Sequence, residues 1–143
     1  MLDLGTRGFK DLKQKNTHGL QKVSELLEMY RPDVVVIEDY GGEGSRRCAR
    51  IEQLIRDIGG LAGKKHIRVC SYSRSLIRQC FAEFNAWTKQ EIAEAIGEAF
   101  PEFKSMVPRP LKIWEKEHPR MSMFDALSLG FTYFYFQTKS KAA

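Results

Sequence analysis

Three carboxylates occupy positions where acids are costly. The stretch PDVVVIEDY, Pro32 to Tyr40, runs four apolar residues directly into Glu38 and Asp39, and Asp125 interrupts the apolar segment MSMFDALSLGFTYFYF. A charged carboxylate removed from water needs a partner. A metal is one such partner: Mg²⁺ takes oxygen ligands, often one or two carboxylates completed by water and phosphate. A pair of such ions can activate water and stabilise the leaving oxygen in phosphodiester hydrolysis. Plainer readings stay open beside this one. Glu38 also suits the point where a strand re-emerges into water. Ser122 and Asp125 form S-x-x-D, a relative of the capping box, and the helix dipole favours an acid near a helix start.

Basic residues lie around these acids in the sequence. Arg46, Arg47 and Arg50 follow the GGEG segment after Glu38, with Arg46 and Arg47 at an expected helix start, a favourable place for phosphate. Arg74, Arg78 and Lys89 fall at later helix starts, and Arg109, Lys112, Lys116 and Arg120 precede Asp125. Cations beside a carboxylate site suit a nucleic-acid backbone; the competing reading is a solvated surface. Trp87 and Trp114 are of a type that stacks on unpaired bases, although packing in core or loop is the expectation for both. His18, His66 and His118 show no metal-ligand spacing.

The elements that must position these groups follow from periodicity. Leu20, Val23, Leu26, Leu27 and Tyr30 recur at helical spacing over about 17–30, and Pro32 ends that helix. DVVVIE reads as a strand covered on both faces. Ser45 opens a helix with Cys48, Ile51, Leu54, Ile55, Ile58 and Leu61 on one stripe. HIRVCSY is a second strand, and Ser73 precedes a short helix. TKQE is a capping box opening a helix to about Ala99. A proline-rich, charged loop follows to Arg120, then a last, largely buried helix over about 121–136. Strands alternating with helices predict an α/β sheet, with function at the carboxyl ends of its strands. Glu38 and Asp39 stand at such an end.

The chain of 143 residues is 43% hydrophobic and 29% charged, which suits one globular α/β domain over 1–143. A net charge of +5 leans toward an anionic partner. Three cysteines without a CxxC pair argue against a disulfide framework or zinc knuckle and fit a reducing, cytoplasmic setting. The apolar run FTYFYF is too short to cross a bilayer, and no signal peptide is read.

PDVVVIEDY followed much later by MSMFDALSLGFTYFY resembles the RuvC-type Holliday-junction resolvases and related ribonuclease H-like nucleases. The resemblance runs from about Asp3 to Phe136. It implies a ribonuclease H-like sheet flanked by helices, with Glu38 and Asp125 catalytic and metal-binding, Asp39 a further metal candidate, and Mg²⁺ or Mn²⁺ as cofactor. It also implies endonucleolytic cleavage of branched DNA in recombination and a homodimer. The basic residues Arg46, Arg47, Lys89 and Arg120 are the candidate phosphate contacts for such DNA. Two departures stand out. The family's additional acid, three residues before the last, is replaced here by Ser122, for which Glu117, His118 or water would have to compensate. LDLGT resembles the family's opening strand, which would make Asp3 catalytic. Only about fourteen residues separate Asp3 from the expected helix start, too few at about 3.3 Å each for two further strands. The better register makes LDLGTRGF the third strand, with the opening strands and their Asp missing. A non-catalytic nucleic-acid-binding or interaction domain that retains the fold is the alternative. The sugar-kinase and actin phosphate-binding fold, which LDLGT also resembles, ranks last because the chain is short for its two lobes.

Overall fold

The computed structural model describes residues 15–40 and 49–142. The elements in order are α1 (Lys15–Tyr30), β1 (Val34–Glu38), α2 (Ala49–Lys64), β2 (Arg68–Tyr72), α3 (Arg74–Ala82), α4 (Lys89–Ala99), α5 (Pro101–Lys104) and α6 (Met121–Ala142). Asp3, the LDLGTRGF register, Ser45 and the Arg46–Arg47 pair lie outside the described residues. The chain divides into two compact units, one ending at Arg74 and the other formed mainly by Ser75–Ala143.

In the first unit, β1 and β2 are parallel, with Val34 opposite Arg68 and Glu38 opposite Tyr72. The intervening α2 packs on both strands and against α1. Asn16 and Arg50 tie α1 to α2 by reciprocal 3.0 Å hydrogen bonds, Nδ2 to the Arg50 carbonyl and Nη1 to Asn16 Oδ1. Arg50 thus has a structural engagement. The sharp exit from α2 is a Schellman turn. His66 adopts φ 58°, the Ile67 N–H donates to the Ala62 carbonyl, and the His66 N–H donates to the Gly63 carbonyl. This reversal feeds β2 alongside β1. The apolar residues of β1 are half-buried rather than fully covered among the described contacts, whereas its terminal Glu38 is buried.

The second unit is helical. Ile77, Cys80, Phe81, Ile92, Ile96, Phe103, Met121 and Phe124 make its core. Phe131 meets Phe81 at 5.9 Å and Phe100 edge-on at 5.2 Å between ring centroids. Burial pushes the Cys80 thiol above its usual range. The expected capping box is present: Thr88 Oγ1 accepts from the Glu91 N–H, and the Glu91 carboxylate accepts from the Thr88 N–H. Gly97 permits the close approach of the segment after α5; a Cβ there would lie 2.6 Å from Val107 Cγ2. The expected long loop carries the short helix α5, started by Pro101. The last helix runs to Ala142, beyond the expected end near 136. It is less buried than its composition suggests, since Phe134 is 68% exposed. Its buried stripe includes Ser128 and Thr132, whose hydroxyls donate to the Asp125 and Ser128 carbonyls at 2.6 and 2.7 Å. Those internal bonds satisfy two polar groups that would otherwise be costly in a core.

Candidate functional site

The first acidic centre is built by the parallel strand pair. The Asp39 N–H donates to the Tyr72 carbonyl at 2.9 Å, extending the ladder one residue past Glu38. The Glu38 side chain is therefore fixed at the carboxyl end of β1, where α/β sheets place ligands. It is not a solvated strand end. Arg74 Nη2 lies 3.4 Å from Glu38 Oε1 and 3.5 Å from Oε2, with the two side chains only 10% and 9% exposed. Arg74 is the first residue of α3, where the helix dipole disfavours a cation. The Glu38 carboxylate offsets that penalty, and Arg74 in turn neutralises a buried acid. Beside the pair, a cavity of about 280 Å³ is lined by Glu38, Asp39, Tyr40, Glu52, Arg56 and Ser71. Asp39 is exposed on its rim.

The second centre lies in the helical unit. Asp125 sits one turn inside α6, and Ser122 is within the helix, where its hydroxyl donates to the Pro119 carbonyl at 2.9 Å. The S-x-x-D sequence does not act as a capping box. Lys89, the first residue of α4, places Nζ 3.3 Å from Asp125 Oδ2 and 3.3 Å from Glu117 Oε2. The capping box immediately before it fixes the direction from which Lys89 departs. Glu117, one of the groups considered in place of the missing acid, thus reaches the same ammonium as Asp125. His118 does not share that contact in the described geometry; its Nδ1 accepts from the Arg120 N–H at 3.1 Å. Arg120 itself is exposed.

Two pairings were not read from the sequence: Arg74 with Glu38, and Lys89 with both Asp125 and Glu117. A signal existed for each. Both cations open a helix, the end where positive charge is least favoured, so each called for an acid nearby. The tryptophans are a correction. Neither is packed: Trp87 is 61% and Trp114 78% exposed.

The donor chemistry of Glu38 and Asp39 fits Mg²⁺, a hard ion content with one or two carboxylates and water. Among the described residues, no group of three or more His, Cys, Asp or Glu side chains gathers to hold a metal.

No family model matches the sequence, and no curated protein matches it. Solved structures do. The chain superimposes on a Thermus thermophilus RuvC structure with a TM-score of 0.65 at 18% identity, covering 94% of this chain and 75% of the other. A structure of T. thermophilus RuvC in complex with a Holliday junction substrate matches with a TM-score of 0.62 at 17% identity and the same coverage. At such identity the likeness speaks for the fold, and the fold is RuvC-like.

Proposed function

We propose that this chain is a ribonuclease H-like, metal-dependent endonuclease acting on branched, Holliday-junction-like DNA. The observation that carries the reading is a buried glutamate at the carboxyl end of a parallel strand in a RuvC-like fold. Glu38 and Asp125 are each proposed as ligands of Mg²⁺ or Mn²⁺, with Asp39 as a further oxygen donor beside Glu38. When bound, the metal would supply an activated water and stabilise the leaving oxygen. Arg74 orients the Glu38 carboxylate from the protein side, and Lys89 does the same for Asp125. Arg120, together with Arg46 and Arg47, would contact phosphates, and Lys89 would turn toward phosphate on binding. A homodimer would present two such sites to a symmetric junction.

The test is cleavage of a four-way DNA junction with Mg²⁺ or Mn²⁺, with and without chelator. Glu38→Gln and Asp125→Asn should each reduce cleavage by at least the roughly 10–100-fold typical of losing an outer-shell metal partner. Circular dichroism must accompany the first variant, because it removes the Glu38 charge from a buried ion pair. Full cleavage by either folded variant would remove that acid from the site. The engagement of both acids by cations favours a second reading, a non-catalytic DNA-binding domain. Junction binding without cleavage in either metal would establish it.

A further inference from the structure

The segment between α5 and α6 carries a feature that the acidic centres do not use. Ile113 is fully exposed and Trp114 is 78% exposed, with Leu111 also partly bare. Three large apolar side chains at a loop tip cost solvation free energy unless something covers them. The tip is nevertheless braced. Arg109 forms a two-pronged pair with Glu115, Nη1 to Oε2 at 3.0 Å and Nη2 to Oε1 at 2.9 Å. The Lys112 N–H donates to Glu115 Oε2 at 3.2 Å, and the Glu115 N–H returns to the Lys112 carbonyl at 3.0 Å. The Arg109 guanidinium, with the Lys112 N–H, holds the Glu115 carboxyl below its usual range. The apolar tip is thus presented by a closed turn of polar bonds.

The charge around the tip selects its partner. Lys112 Nζ lies 5.4 Å from the Trp114 ring centroid, and Lys116 and Arg120 follow within six residues. Glu115, the acid next to Trp114, is already neutralised by Arg109. An exposed indole with a lysine over one face, in a segment that carries further Lys and Arg residues, suits single-stranded nucleic acid, a base stacking on the ring while cations meet the backbone. A purely apolar protein partner would not need the flanking charge.

We propose that Trp114 is a base-stacking residue that engages unpaired or junction-opened bases of the DNA, with Ile113 wedged beside it and Lys112 on the adjoining phosphate. This inference rests on the DNA reading above and specifies how branched DNA is told from continuous duplex. In a Trp87→Phe background, Trp114 is the remaining tryptophan and is read by selective excitation of its indole. Titration with a four-way junction or an oligothymidine should quench it, and a continuous duplex should not. Trp114→Ala should weaken binding to the junction and to the single strand by about 5- to 150-fold, the equivalent of losing one stacked base. Affinity for continuous duplex should stay within about twofold, as phosphate contacts dominate there. Trp114→Phe should recover most of the loss and Trp114→Leu little of it. Junction affinity unchanged in Trp114→Ala, with the parent protein still binding, overturns this inference alone. Recovery by Leu equal to that by Phe overturns stacking in favour of an apolar contact. No DNA binding by the parent overturns both readings, and capture of a protein by the same tip would replace the base as its occupant.

Discussion

Glu38 and Asp125 are both acids engaged by a cation at a helix start, yet the two centres are built differently. Glu38 faces Arg74 with both side chains about nine-tenths buried. Asp125 is 15% exposed, and its Lys89 is 36% exposed and shared with Glu117, itself 51% exposed. The first is a buried pair in which one guanidinium nitrogen, Arg74 Nη2, reaches both carboxylate oxygens. The second is an open triad around a flexible ammonium that water also reaches. Desolvated charges depend on one another, whereas charges in contact with water do not. The lesson is that two acids with similar sequence signatures carry different structural duties. Glu38 helps hold its unit together in addition to any chemistry, while Asp125 can exchange its cation at small cost.

That difference sets an order of expected effects. The largest belongs to Arg74→Met, which leaves Glu38 buried without its cation. Breaking a buried pair in this way costs about 3–5 kcal/mol. Urea unfolding should show a correspondingly lower midpoint with an unchanged slope. A loss below about 1 kcal/mol would place Glu38 in the same class as Asp125 and dissolve the comparison.

The sequence made the acids legible but not their partners. Glu38 could be placed at a strand end because VVVIE has no helical period and Pro32 fixes where the strand begins. TKQE gave the start of α4 because a capping box is a local device, complete within four residues. Arg74 and Glu38 are 36 residues apart, as are Lys89 and Asp125, and nothing local couples them. Ser122 misled for the complementary reason. S-x-x-D matches a helix start by composition, but α6 begins at Met121, so Ser122 falls inside the helix. Packing in core or loop is the expectation for Trp114 from sequence; its exposure belongs to a loop whose Arg109–Glu115 brace is not legible as a motif.

Lys89→Met comes next in magnitude. It removes the cation from Asp125 and Glu117 together, but both acids retain access to water. The expected cost is about 1 kcal/mol, at the upper end for partly exposed pairs. It should shrink as salt rises, since the Debye length falls from about 10 Å at 0.1 M to about 3 Å at 1 M. Arg74→Met should keep most of its cost at the same salt concentrations. Thermal or urea unfolding of both variants at the two ionic strengths would sharpen the contrast, and equal salt sensitivity would break it.

The smallest effect is expected from Glu117→Gln, and it probes whether the triad is a unit or a loose association. Glu117 lies in the exposed segment before α6 and meets Lys89 only at 3.3 and 3.5 Å. In the variant, Lys89 keeps Asp125 as a partner at 3.3 Å, so no charge is stranded. Stability should change by less than about 0.5 kcal/mol, the range of ordinary surface pairs. A double-mutant cycle with Lys89→Met gives the coupling directly: for a loose association it should also stay below about 0.5 kcal/mol. A coupling well above 1 kcal/mol would mean that Glu117, Lys89 and Asp125 behave as one network. The helical unit would then hold its acid as tightly as β1 holds Glu38, and Glu117 would have to be counted with Asp125 in any account of the site.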